Sequence, residues 1–165
     1  MDNPKINHLS LCAGYGGIDL GLRAVLPDCR TIAYVEIEAF AAANLVAKVE
    51  AGELDPAPVH TDIRSFPFES FRGVVDILSG GFPCQPFSHA GKRDGVDDPR
   101  HLWPAIAGGI RACRPAVVFL ENVEGIISSK SDGYHSVLHH VLCDLEGMGY
   151  RTEAGVFSAE EVGAP

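Results

Sequence analysis

Ile6-Asn7-His8-Leu9-Ser10-Leu11-Cys12-Ala13-Gly14-Tyr15-Gly16-Gly17-Ile18-Asp19-Leu20 passes from an apolar run, through three glycines, into a helical pattern. Ile6 to Cys12 reads as a strand, Ala13 to Gly17 as a tight loop, and Ile18, Leu20, Leu22 and Val25 as one helical face. The alternation recurs outward from there. Thr31 to Val35 is a second strand, ending at Glu36 before an Ala-rich helix over Ala39 to Val49. Pro56 to Pro58 marks a loop, and Val59 to Ile63 is a weaker third strand. Val74 to Ser79 is a fourth strand, running into Gly80-Gly81-Phe82-Pro83-Cys84-Gln85-Pro86. Leu102 to Cys113 reads as a helix and Ala116 to Leu120 as the most apolar strand. Tyr134 to Met148 sets Leu138, Val141, Leu142, Leu145 and Met148 on one helical face, with Gly149 closing the helix and Tyr150 to Phe157 as a sixth strand. Strands alternating with helices, several of them unbroken apolar runs, predict an α/β fold: a three-layer, doubly wound, mostly parallel sheet. Such sheets bind ligands at the carboxyl ends of their strands. Those ends carry Gly14, Gly16 and Gly17, then Glu36, Asp62, Cys84 and the pair Glu121-Asn122.

The chain of 165 residues has 22 acidic and 13 basic side chains, a formal charge of −9. Duplex binding by a uniformly basic surface is excluded, because phosphate neutralisation drives it. Any contact with nucleic acid is local or assisted. The five cysteines are scattered, the closest two 17 residues apart, and no Cys-x-x-Cys occurs, which argues against zinc ribbons and redox pairs. Cys12 and Cys143, taken alone, read as small buried hydrophobes. The polar N-terminus and the lack of a membrane-length apolar run lead us to expect a soluble, cytoplasmic protein. His135, His139 and Cys143 share a helical stripe, but no second segment supplies a ligand, so we expect packing and no metal.

The glycine loop lacks the third glycine of the dinucleotide fingerprint. Its glycines still let a ligand approach backbone at a helix N-terminus. Glu36, 19 residues after Gly17, stands where an acid takes ribose hydroxyls, and Asp62 could accept from an adenine amino group. This describes an adenosine site with no pyrophosphate requirement. Asp19, in the first helical turn, disfavours a polyphosphate, and cationic S-adenosylmethionine fits better than NAD. Pro83 and Pro86 bracket Cys84 in a Gly/Pro-framed loop at the sheet rim, the setting of a presented nucleophile. An amidase or peptidase would need a partnered His, and only His89 and His101 are near in sequence. Glu121, closing the adjacent strand, would bring an acid beside the thiol. That suits a substrate protonated as it is attacked.

At these residues the sequence resembles the DNA (cytosine-5) methyltransferases. Leu11-Cys12-Ala13-Gly14-Tyr15-Gly16-Gly17 is similar to their S-adenosylmethionine loop, with Cys12 where an aromatic is common. Gly81-Phe82-Pro83-Cys84-Gln85-Pro86-Phe87-Ser88 is similar to their nucleophile loop, and Glu121-Asn122-Val123 to their acid motif. The resemblance runs from about Asn7 to the last residue. It implies a Rossmann-like methyltransferase fold, C-terminally incomplete, and methyl transfer to carbon 5 of cytosine in double-stranded DNA, in a restriction-modification setting. It also implies that Cys12, Ala13, Gly14, Gly16, Gly17, Ile63 and Leu102 line the cofactor site, with Glu36 on the ribose, Ile37 on adenine and Asp62 on its amine. Cys84 would attack carbon 6, supported by Pro83, Gln85, Glu121 and Asn122. Ser88 to Asp98 would close over a flipped base, with Ser88, Lys92 and Arg93 meeting DNA.

Ser158-Ala159-Glu160-Glu161 is a capping box announcing a helix, yet the sequence ends four residues later at Pro165. We therefore expect residues 1–165 to be one partial catalytic and cofactor-binding domain, without the family's target-recognition domain. Turnover would require a complementary C-terminal half. Two other readings use the same residues: a non-catalytic methyltransferase remnant acting in binding, and another cysteine-nucleophile enzyme.

Overall fold

The computed structural model describes residues 5–83, 102–128 and 135–163. Strand β1 (Ile6–Leu11) is the centre of a five-stranded parallel sheet of order β3-β2-β1-β4-β5. The other strands are β2 (Cys29–Val35), β3 (Val59–His60), β4 (Ile77–Gly81) and β5 (Val117–Glu121). From β1 the chain moves outward to β3, then returns to the other side of β1 for β4 and β5. Right-handed crossovers therefore send α1 (Gly17–Val25) and α2 (Ala39–Glu50) to one face and α3 (Trp103–Cys113) to the other. The order reverses between β1 and β4, and that is where a parallel sheet opens its ligand crevice. The two loops singled out by sequence leave these two strands.

The described residues fall into two compact units. The first, 5–83 with 102–122, contains the sheet and α1 to α3. Its central strands bury Leu9, Leu11 and Leu78, each contributing roughly 1.5–3 kcal/mol of transfer free energy. Tyr34, Leu45 and Leu54 form a cluster with Ala13, Val49, Ala57 and Val59, which packs the root of the glycine loop against β2, β3 and α2. The second unit, 123–128 with 135–163, contains α4 (Gly125–Ser128), α5 (Val137–Gly147) and a 3-10 turn at Glu160–Val162. Val141 and Leu145 of α5 and its C-cap residue Met148 are buried on the expected face, and Gly149 (φ 93°) follows.

Several expectations are corrected. The third strand shrinks to two residues because the Asp62 side chain accepts from Arg64 N–H at 2.9 Å and turns the chain into a 3-10 helix, Ile63–Ser65. Residues 150–157 form no strand; with no ladder to satisfy their backbone, Val156 and Phe157 stand exposed. The capping box does form, Ser158 N–H to Glu161 Oε2 at 2.7 Å and Glu161 N–H to Ser158 Oγ at 3.3 Å, but it starts only the short 3-10 turn. β5, read from the sequence as the most apolar strand, is an edge strand among the described residues, with Val117 and Phe119 half exposed. Helix α5 begins at Val137, where Ser136 Oγ caps His139 N–H at 3.1 Å; Tyr134 lies outside the described residues. The expected apolar face of α1 is poorly buried: Leu20 and Val25 are exposed, and the one buried side chain of the helix is Asp19.

Candidate functional site

The loop after β1 is held by hydrogen bonds from elsewhere in its unit. Ala13 N–H donates to Val35 O at 3.1 Å and Gly16 N–H to Ala13 O at 2.8 Å. Glu36, the first residue beyond β2, accepts from Gly14 N–H through Oε2 and from Glu38 N–H through Oε1, each at 2.8 Å. Lys48 Nζ on α2 donates to Tyr15 O at 2.7 Å. Sequence reasoning missed Lys48, since a basic residue in an amphipathic helix carries no local sign of this partner.

Backbone conformation explains the glycines. Gly14 (φ 54°) and Gly16 (φ 77°) are left-handed, as is Cys12 (φ 48°), which lacks glycine's freedom. A Cβ at Gly14 would meet nothing within 4 Å, so that stretch of backbone borders open space. A Cβ at Gly16 would lie 2.9 Å from Leu54 Cδ1, so Gly16 is small because the core is behind it.

Glu36 is nearly buried, yet each of its oxygens can accept a second hydrogen bond. Ile37 beside it is exposed, Asp62 caps the turn after β3 with Ile63 buried beneath, and Leu102 is the N-cap residue of α3. Open backbone at Gly14, a twice-anchored carboxylate and an exposed aliphatic side chain fit an adenosine moiety. Burial first, and the Glu36 charge second, push the Cys12 thiol up to about 11. Cys12 is thus a protonated, half-buried thiol and not the small buried hydrophobe expected. Cys143 differs too: it is exposed, its Sγ 3.5 Å from His139 Nε2, and the His135 and His139 rings stack 4.8 Å apart. Among the described residues, no three His, Cys, Asp or Glu side chains converge as a metal site.

On the other side of the switch point, Glu121 at the end of β5 pairs in register with Gly81 at the end of β4. Its Oε2 would be 3.0 Å from a Cβ at Gly81, so the glycine leaves room for the carboxyl group. Asn122 Nδ2 donates to Phe82 O at 2.6 Å, which ties the two strand ends together. Phe82 is buried with its ring 5.8 Å from that of Trp103. Pro83 is the last residue described in this segment; Cys84, Gln85, Ser88, Lys92 and Arg93 lie outside the described residues, as do His89 and His101. Asp19, read from the sequence as disfavouring a polyphosphate at the loop, is buried with its carboxyl group bonded to Ser10 and Thr31 of the sheet.

The profile of C-5 cytosine-specific DNA methylases matches residues 6–165. Type II methyltransferase M.NgoMIV of Neisseria gonorrhoeae is 34% identical over 159 residues, 96% of this chain and 48% of that protein. Type II methyltransferase M.NaeI of Lentzea aerocolonigenes is 35% identical over 95% of this chain and 36% of its own length. The chain therefore spans less than half of each of these two curated relatives. Among solved structures, a Spodoptera frugiperda DNMT2 mutant superposes with a TM-score of 0.68 over 87% of this chain and 41% of that one, at 24% identity. The Dnmt2 methyltransferase of S. pombe follows at 0.58 and 23% identity, covering 85% and 42%. These two likenesses speak for the fold.

Proposed function

The chain belongs to the C-5 cytosine-specific DNA methylase family, and from that premise we propose that it carries the cofactor site and nucleophile of an enzyme that methylates carbon 5 of cytosine in DNA. The observation that supports this most is the convergence at the switch point. The glycine loop and Glu36 lie on one side, and Glu121, in register with Gly81 three residues before Cys84, on the other.

Bound S-adenosylmethionine supplies an electrophilic methyl group on a sulfonium. Glu36 takes the ribose hydroxyls, Ile37 packs on the adenine, Asp62 accepts from its amine, and the backbone from Cys12 to Gly17 lies along the ligand. With its thiol pushed up to about 11, Cys12 stays protonated and does not compete for the methyl group. The thiolate of Cys84 adds to carbon 6 of a cytosine turned out of the duplex, while Glu121 donates a hydrogen bond or proton to ring nitrogen 3. Carbon 5 then has enamine character and would take the methyl group as the S–CH3 bond breaks, leaving S-adenosylhomocysteine. Loss of the carbon 5 proton to a base and expulsion of Cys84 restore the ring. Asn122 positions Glu121 by fixing the strand ends, and the charges of Lys92 and Arg93 would suit DNA phosphates.

Because the chain spans less than half of these two relatives, we read a complementary C-terminal half, covalent or separate, as the source of target recognition. The test is trapping on duplexes containing 5-fluorocytosine, where fluorine cannot leave as a proton. With S-adenosylmethionine present, intact mass should reveal a protein–DNA adduct that is absent in Cys84→Ser. An adduct formed only after a C-terminal half is added would make the chain part of a split enzyme. No adduct in either case, with the chain folded, would favour a non-catalytic remnant and sink the proposal.

A further inference from the structure

Beneath the glycine loop lies a chain of buried polar side chains that the proposed chemistry does not use. Asp19, in the first turn of α1, accepts from Ser10 Oγ of β1 through Oδ2 and from Thr31 Oγ1 of β2 through Oδ1, both at 2.9 Å. His8 Nδ1 is 2.9 Å from Thr31 Oγ1 and 3.4 Å from Asp19 Oδ1, and His8 Nε2 is 2.7 Å from Ser79 Oγ on β4. All five side chains are buried. Since the Thr31 hydroxyl donates to Asp19, it accepts from His8, which puts a proton on Nδ1. A β-bulge at Ile32, where His8 pairs with Thr31 but Leu9 with Ala33, gives Thr31 its place opposite His8.

The helix that follows the glycine loop is otherwise held by partly buried Ile18 and Leu22 and, in its last turn, by Arg23 Nη1 donating to Glu53 O at 2.8 Å. Asp19 is the one buried side chain of α1, while Leu20 and Val25 are exposed. Apolar packing is non-directional, whereas hydrogen bonds to a carboxylate fix geometry. Gly17, two residues before Asp19, ends the loop that would border the cofactor. At the far end, Ser79 is followed by Gly80, Gly81 and the segment leading to Cys84.

We propose that Asp19, acting through Ser10, Thr31 and His8, is a positioning residue that fixes the cofactor loop to β1, β2 and β4. The inference rests on the cofactor reading above for its consequence, but not for the tether itself.

Two readouts test it on the full chain. The first is amide hydrogen exchange at Gly16 and Leu20, whose N–H groups bond to Ala13 O and Gly16 O. The second is affinity for S-adenosylhomocysteine by calorimetry, at a temperature where every variant is folded. Asp19→Ala and Thr31→Val should speed exchange at both amides and weaken binding about tenfold, the loss expected for hydrogen bonds to a charged group. Asp19→Asn, which keeps the shape and can still bond both hydroxyls, should recover most of each. Ile110→Ala, a cavity in buried α3, should lower the melting temperature and leave both readouts alone. Unchanged exchange and affinity in Asp19→Ala, or equal changes in Ile110→Ala, would overturn the proposal. Should Asp19→Ala fail to fold, Ser10→Ala removes one of the two donors and decides the same question. If the parent chain binds no S-adenosylhomocysteine, the cofactor reading falls and exchange alone decides the tether.

Discussion

Glu36 and Cys12 show how one side chain can organise a site and silence its neighbour. The carboxylate holds Gly14 and Glu38 N–H groups at 2.8 Å, and its charge adds to burial in keeping Cys12 protonated. Glu36→Gln replaces one acceptor oxygen by an amide group facing an N–H donor. We expect affinity for S-adenosylhomocysteine to fall about tenfold to a hundredfold, measured by calorimetry, because hydrogen bonds to charged groups are each worth about 1.5–3 kcal/mol. A second consequence concerns alkaline pH. Burial pushes the Cys12 and Cys113 thiols from 9.0 up to about 11 and the Tyr34 hydroxyl from 10.0 up to about 12. The folded chain therefore holds these protons more tightly than the unfolded chain. Their stabilisation is complete below pH 9 and is lost as pH rises through 11 to 12. Melting temperature should drop over that window, less steeply in Cys12→Ala; a flat profile from pH 8.5 to 11.5 would contradict the assignment.

Among the elements, the junction of β1 with α1 matters most, and its two left-handed glycines should respond differently to alanine. Gly14→Ala adds a Cβ that touches no protein atom at φ 54°. It should cost about 1–2 kcal/mol in urea unfolding and weaken cofactor binding disproportionately, since the methyl group enters the open side of the loop. Gly16→Ala has the same backbone strain and also drives its Cβ to 2.9 Å from Leu54. It should be the more destabilising of the two. Equal stability losses would show that the packing behind Gly16 yields. Helix α5 offers a local comparison, in which Ser136→Ala should remove about 1 kcal/mol by leaving His139 N–H uncapped.

For the molecule as a whole, charge and length act together. A chain at −9 has no net positive charge to drive non-specific duplex affinity. Fluorescence anisotropy on the 165-residue chain should therefore find only weak duplex binding, with a dissociation constant no tighter than about 10⁻⁵ M at physiological salt. Addition of a C-terminal half from a relative should tighten it. Submicromolar binding by the chain alone would place the recognition surface within it.

The sequence by itself determined the order of the first five strands and of α1, α2, α3 and α5, the parallel sheet, and the rim positions of Gly14, Glu36, Asp62 and Glu121. These follow from local physics: apolar periodicity, glycine punctuation, and the rule that parallel strands end on one rim. Only tertiary structure decided that Asp62 cuts β3 short, that Val117 and Phe119 lie on an open edge, and that Asp19 faces inward. The first is a local competition, in which the Asp62 side chain takes Arg64 N–H and ends the ladder, and the other two depend on groups remote in sequence, such as the hydroxyl of Thr31 beneath Asp19. His8 and Ser10, two polar residues spaced as one face of a central apolar strand, were the available sign of the buried network. Polar side chains in such a place demand partners, but a single sequence does not say which segments supply them.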